Sequence, residues 1–262
     1  MSSMISAGPY AFGLLIGMLV CMEIGRRSGA RWLAKNPENA ISGLSLAQGA
    51  IFTLYGLLLA FTFSEATSRF DVRRELIAEE ANAIGTAYLR LDLLTPELQP
   101  ALRQQFREYL DSRLEVYRKL PDIVAAEAEL SKSGKLQQGI WTRAVADTRL
   151  AGTHPEAGKL LLPAVNAMID ITATRTMAAK IHPAPVIYKL LFLLALVCSL
   201  LAGYGMAGSK KRNWLHTTAF AVITAASVYV ILDIEYPRAG LIRINAFDQV
   251  LVELRQSMQP DH

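Results

Sequence analysis

The chain has 262 residues, of which 52% are hydrophobic and 19% charged, with a mean hydropathy of +0.26, and the apolar residues gather toward its two ends. Its formal charge of +4 comes from basic residues bunched where apolar segments finish; this fits membrane topology and lipid contact, and without a basic patch interleaved with aromatics it argues against nucleic-acid binding. Both cysteines, Cys21 and Cys198, fall inside apolar segments, and neither a disulfide framework nor a zinc site is indicated.

From the N-terminus, residues 5–25 (ISAGPYAFGLLIGMLVCMEIG) predict a first membrane span. A secretory signal would open on a basic residue and close on a small-residue cleavage site. This run opens without Lys or Arg and ends at Arg26 and Arg27, so it is expected to stay in the mature protein. Glu23 precedes those arginines at the spacing of a helix-end ion pair. The link RRSGARWLAKNPENAISG carries Arg26, Arg27, Arg31 and Lys35 and is broken by glycine and proline, predicting a short basic loop.

The stretch from Leu44 to Leu91 contains no proline. Its apolar front half is long enough to cross a bilayer, and its charged back half keeps helical periodicity, which predicts one helix in two solvents. At 1.5 Å per residue it would be roughly 70 Å long, well over twice a hydrocarbon core of about 30 Å. Phe63, Phe70, Ile77, Ile84 and Leu91 lie seven apart, and Ala60, Thr67, Arg74, Ala81 and Tyr88 form a second such series, together an a/d seam. Traced into the apolar half, the seam passes through Gly56, Thr53 and Gly49, small or hydroxylated residues that let backbones approach within lipid. Gly85 predicts either a kink or a close contact.

Thr95-Pro96-Glu97 then reads as a helix start, with Pro100 able to delay the regular helix by a turn. Leu98, Leu102, Phe106, Leu110 and Leu114 predict a helix to about Lys119. Pro121-Asp122 opens another, expected to break near Ser133-Gly134, and Thr153-His154-Pro155-Glu156 opens a last one reaching about Lys180. Nothing here alternates with period two, so an all-helical aqueous domain is expected. Pro183 and Pro185 mark a break before a third span at about 186–208. The basic loop SKKRN leads to a fourth, from Trp214 to about Tyr236, and residues 247–258 could form an amphipathic helix. The expected architecture is an all-α integral membrane protein with four transmembrane helices and a helical aqueous domain inserted between helices two and three. Its divisions are 1–66 for the first hairpin, 67–184 for the extramembrane domain, 185–237 for the second hairpin and 238–262 for the tail. The short loops carry Arg26, Arg27, Arg31, Lys35, Lys210, Lys211 and Arg212, which by the positive-inside rule puts them in the cytoplasm and the helical domain on the opposite side.

The run LLLAFTFSEATSRFDVRRELIAEEANAIGTAYLRLDLL, the IWTRA near residue 140, NAMIDITATR followed by HPAPVIY, and DIEYPRAGLIRI after the fourth span resemble the bestrophin-like domain proteins, mostly bacterial membrane proteins of unassigned function. The resemblance covers nearly the whole chain. It implies a multi-pass protein of the plasma (inner) membrane and, more remotely, similarity to bestrophins, anion channels that assemble as pentamers around the second membrane helix. Bestrophins keep their helical domain cytoplasmic, opposite to the charge-based orientation, and no acidic cluster matches a bestrophin-type calcium clasp.

An ion pathway needs a small, hydroxyl-bearing face with charges at its mouth. Thr53, Gly56, Ala60, Phe63 and Thr67 supply such a face, with Phe63 and Phe70 as apolar constrictions, and Arg69, Arg73 and Arg74 could gather anions at its exit. The same residues would equally serve tight helix packing and headgroup contact. Glu65, Lys189, Asp233 and Glu235 form an ionic cluster expected at the membrane interface, paired or snorkelling in the bland reading and holding a cation in the sharper one. His182 is expected in a turn or interface role. Asn166, Asp170 and Arg175 are expected to hydrogen-bond to the central helix. Glu75, Glu79 and Glu80 flank the seam, but no Glu-x-x-His pair accompanies them, so no metal is expected. Without GxSxG, Walker loop, HExxH or dinucleotide fingerprint, no catalytic residue and no cofactor is assigned, and the chain is not read as an enzyme. The expected partners are the lipid bilayer, further copies of the chain and small ions. The leading reading is a homo-oligomeric channel for small anions; the alternative is a non-conducting sensor or scaffold whose seam packs within one chain.

Overall fold

The computed structural model describes residues 7–35, 44–120, 122–208, 214–237, 240–242 and 244–258. Pro121, Lys210, Lys211, Arg212, Arg238 and Arg243 lie outside the described residues, as does most of the link after Lys35. Among the described residues eight α-helices occur in chain order: α1 Ala7–Lys35, α2 Leu44–Leu89, α3 Gln99–Arg118, α4 Ile123–Asp147, α5 Ala157–Lys180, α6 Pro185–Gly205, α7 Trp214–Glu235 and α8 Gln249–Ser257. No strand is found among the described residues. Among the described residues four stretches are long and apolar enough to cross a membrane: Ala7–Lys35, Leu46–Leu93, Ala157–Gly208, which takes in α5 and α6, and Trp214–Glu235.

Two boundaries differ from the sequence expectation. The first span does not stop at Gly25; α1 continues as helix through Arg26, Arg27 and Arg31 to Lys35, where a loop was expected. The reason is tertiary. A Cβ on Gly25 would stand 2.0 Å from the Leu200 carbonyl oxygen and one on Gly29 would stand 2.9 Å from that of Tyr204, so these glycines are contact points with α6 rather than breaks. Likewise α4 runs unbroken through Ser133-Gly134. The buried Ser133 hydroxyl bonds to the Glu129 carbonyl within its own helix and to Ser112 of α3 at 2.8 Å, which fastens the segment where local propensity is poor.

Other signals act as their chemistry suggests. Asp122 caps α4 by accepting from the Ala125 amide at 3.0 Å. Regular helix after Leu94 begins only at Gln99, with Pro100 in its first turn. Gly152 has φ 86°, the left-handed conformation that turns the chain from α4 into α5. Gly85 leaves α2 unbroken, and its Cβ position lies 3.3 Å from Leu254 of α8, the expected close contact.

The chain divides into two compact units. One comprises Arg69–Ile181 with Ile242–His262 and holds a core of Ile77, Ile84, Leu91, Leu102, Phe106, Leu110, Ile140, Leu161, Met168 and Leu251. Its tail is docked: Arg107 donates to the Met258 carbonyl at 3.1 Å, and Arg255 donates twice to Asp111. The other comprises Ile5–Ser68 with His182–Leu241, and α1, the front of α2, α6 and α7 pack around Leu14, Met18, Met22, Tyr55, Leu191, Cys198, Val228 and Leu232.

Candidate functional site

Within the second unit, α2 packs on its neighbours through one face only. Gln48, Phe52, Tyr55, Leu59, Thr62 and Ala66 make that face at alternating four- and three-residue steps. Gln48 Nε2 donates to the Leu201 carbonyl at 3.1 Å, and Phe52 meets Phe220 edge-to-face at 6.2 Å. At 3.6 residues per turn the rest of the helix shows two further faces. One is bulky and exposed, with Leu54, Leu57 and Phe61. The other carries the predicted small series: Gly49, Thr53, Gly56, Ala60 and Phe63 are all exposed, and a Cβ built on Gly49 or Gly56 would meet, among the described residues, no atom within 4 Å beyond its own stretch of helix backbone. Thr53 donates its hydroxyl to the Gly49 carbonyl at 2.9 Å and Thr67 to that of Phe63 at 3.0 Å. Their protons are committed to the helix, so the small face presents methyls and acceptor lone pairs rather than donors.

The remaining candidates fall in different surroundings. Phe63 is 44% exposed, whereas Phe70 packs against the core of the first unit. Arg73 is buried and donates to the last carbonyls of α5, from Nε to Ala178 at 3.2 Å and from Nη2 to Ile181 at 2.9 Å, a cationic cap on a helix C-terminus. Arg69 is half-buried. Arg74 is exposed, 3.4 Å from Asp71 and over the Phe247 ring, so it is the one of the three arginines most open to a mobile anion.

The interface cluster separates as well. Glu65 and Lys189 are exposed, and no ion pair of Lys189 occurs among the described residues, so it pairs with neither Asp233 nor Glu65 as the paired reading of the cluster would have it. Asp233 and Glu235 are buried, at 1% and 0% exposure. His182 Nδ1 lies 2.9 Å from Glu235 Oε1, and its ring stacks on Tyr236 at 4.8 Å. Asp233 accepts the Leu241 amide at 3.1 Å, and a side chain on Gly240 would run into it. Asp233 therefore pins the chain that leaves α7, and Glu235 ties the end of α7 to His182 ahead of α6. Among the described residues no group of three or more His, Cys, Asp or Glu is placed to hold a metal ion.

The most heavily charged buried site includes Glu80, expected beside the seam, and Arg175, expected to reach the central helix; its joining with Arg113 and Asp248 was not expected. Glu80 on α2, fully buried, accepts from Arg113 Nε of α3 at 2.5 Å and from Arg175 Nη1 of α5, and Arg175 Nη2 also donates to Asp248 at 3.0 Å. The Arg175 guanidinium lies 3.9 Å from the centre of the Tyr117 ring. Burial would push the Glu80 carboxyl up, but the two guanidinium charges outweigh it and hold the group below the usual carboxylate range. Arg113 and Arg175 are raised in turn: burial opposes their charge, and Tyr117 and Glu80 more than restore it. Burial lifts the neighbouring Tyr109 hydroxyl to about 12, with the Glu80 charge adding to it. A signal was present. Glu80, Arg113 and Arg175 each fall on the apolar stripe of their own helix, as in the series Ile77, Glu80, Ile84. Of the α5 trio, only Arg175 reaches α2; Asn166 and Asp170 are exposed and bond to each other at 2.8 Å.

Compared with known proteins, the chain matches the Bestrophin-like domain over residues 12–246. Among solved structures it is similar to a variant of a bacterial bestrophin homologue from Klebsiella pneumoniae, at 17% identity and a TM-score of 0.66, covering 95% of this chain and 98% of the other. A second variant of that homologue gives 12% identity and a TM-score of 0.67, with 97% and 98% covered. A structure described only as a membrane protein gives 16% identity and 0.66, with 97% and 100% covered. No curated protein matches the chain. The domain match spans most of the sequence, and the all-helical fold with four membrane-length helices agrees with it: the chain belongs to the bestrophin-like family.

Proposed function

We propose that this chain is the subunit of a homo-oligomeric membrane channel for small anions, its pathway lined by the front half of α2 and the segment 67–184 standing in water. The observation that carries the reading is the uncovered small face of α2. Over a membrane-length window only 11% of that helix's stretch is buried inside the chain, against 28% for α1 and 44% for α7. A helix so little covered by its own chain meets lipid or further copies. Gly49, Thr53, Gly56 and Ala60 suit close approach around an axis, while Leu54, Leu57 and Phe61 suit contact with apolar neighbours. A sensor or scaffold that used the small face within one chain would need neighbours at Gly49 and Gly56, and among the described residues none from another part of the chain stands within 4 Å.

Selectivity in this scheme is coarse. With the threonine protons turned inward, the α2 face supplies no donors to an anion, so the preference for anions rests on the cationic mouth, and Phe63 supplies a constriction that closes by dewetting. Arg74 gathers anions at the aqueous end. Single-particle imaging of the detergent-purified protein should show a ring, a pentamer if the bestrophin resemblance extends to assembly, with Thr53, Gly56 and Phe63 on a continuous axial path. Planar-bilayer recording should then give an anion conductance that rises in Phe63→Ala. A monomer, or a compact dimer without such a path, would remove the proposal.

A further inference from the structure

We propose that the cleft between the C-terminal ends of α1 and α6 seats one anionic phospholipid, an acyl chain in the cleft and the phosphate against Arg27 and Arg31. The cleft has a volume of about 320 Å³ and is lined by Ile24, Gly25, Ser28, Leu200, Leu201 and Tyr204. It exists because the two helices cross by backbone contact. Gly25 abuts the Leu200 carbonyl, and Gly203 abuts that of Met22, each with 2.0 Å left for a Cβ, so the larger side chains flare apart beside the crossing.

Its depth suits a lipid. From Ala7, the first 20 residues of α1 cover about 30 Å, the thickness of a hydrocarbon core, and end at Arg26, so the cleft lies where acyl chains give way to headgroups. Its charge suits an anionic one. Ile24, Ser28, Arg31 and Lys35 follow at four-, three- and four-residue steps and share one face of α1 with Arg27, so the apolar wall runs directly into a cationic edge. Arg27 donates to Glu23 at 2.7 Å, yet its side chain stays 68% exposed. Glu23 is shared with Arg26, so the three residues keep a net positive charge to which exposed Arg31 adds. Trp32, 38% exposed, is placed as an interfacial ring. A free phosphate could use the arginines but not the apolar walls, and a zwitterionic lipid could use the walls but not the surplus charge.

The full-length chain in detergent, titrated with phosphatidylglycerol, phosphatidylcholine or glycerol phosphate and read by native mass spectrometry, tests this. One phosphatidylglycerol per chain should be retained, phosphatidylcholine roughly tenfold more weakly, and glycerol phosphate not at all. The exposed-face double variant Arg27→Gln/Arg31→Gln should weaken phosphatidylglycerol roughly tenfold, to the level of phosphatidylcholine on the unaltered chain, and weaken phosphatidylcholine by much less. Ser28→Trp, which fills the cleft and keeps both arginines, should abolish retention of either lipid while circular dichroism stays native. Equal retention of the two lipids, retained glycerol phosphate, or phosphatidylglycerol unaffected by the arginine variant would overturn the proposal. Because the readout is lipid retention, it holds or fails independently of conduction.

Discussion

At the scale of single residues, Glu80 decides most. A carboxylate whose native pKa is depressed contributes stability that is complete above its ordinary value of about 4.3 and is lost as the pH falls through the native value. The helical unit should therefore resist acid down to about pH 4 and weaken below it. Glu80→Gln leaves two buried guanidiniums without their shared counter-charge, and the expected cost is about 3–5 kcal/mol at neutral pH. Denaturant titration followed by circular dichroism at pH 7 and again in acid checks both parts. The variant should start weaker and lose less on acidification, and equal curves at both pH values would mean that the network is idle. Gly240 makes a second residue-scale case. Its missing side chain gives Asp233 the space to accept the Leu241 amide, so Gly240→Ala should unseat the chain after α7. Limited proteolysis, with cleavage sites mapped around residues 237–242, would detect it.

Helices supply the next scale, where glycine has opposite meanings in different elements. On α1, Gly25 and Gly29 are contact points, and Gly25→Leu would drive a side chain into the Leu200 carbonyl; loss of folded protein is the expected outcome, read by thermal melting in detergent. On α4, Gly134 has nothing within 4 Å of its Cβ position. Gly134→Ala should stabilise the helical unit by about 0.5–1 kcal/mol, because alanine loses less backbone freedom on entering a helix. A destabilised Gly134→Ala protein would mean that the α4 surface is covered by something other than water. Sequence spacing alone does not separate these glycines, since both interrupt helical patterns. What separates them is the helix lying opposite, α6 for Gly25 and none for Gly134.

For the whole molecule, the question is what covers α2. Gly56 has room for a side chain inside its own chain, so Gly56→Leu should leave the helical content and the fold of the chain intact. Any change it produces must then come from outside the chain, and a change of assembly points to another copy. In a channel built around α2, the variant should lose its oligomeric state on size-exclusion chromatography with light scattering, or lose conductance within an intact ring. An unchanged oligomer with unchanged current would take Gly56 off the axis.

Much of this was legible in the residues. Four apolar runs of membrane length, a proline-free central helix, and buried Ile77, Ala81, Ile84 and Leu91 on the predicted seam follow from hydrophobic periodicity, because apolar burial acts on each helix face locally. The likeness of motif runs such as DIEYPRAGLIRI to the bestrophin-like family was also visible before any coordinates. Tertiary structure alone decided which polar residues enter the core and which breaks are not breaks. Glu80, Arg113, Arg175 and Asp248 lie far apart in sequence, and a buried charge is tolerable only when its counter-charge arrives from another element, which no local pattern records. The same holds for Arg73, which reads as a solvent-facing cation until the carbonyls at the end of α5 take up its donors. It holds for the extension of α1, since a glycine helix continues or stops according to whether a neighbouring backbone is there to meet it.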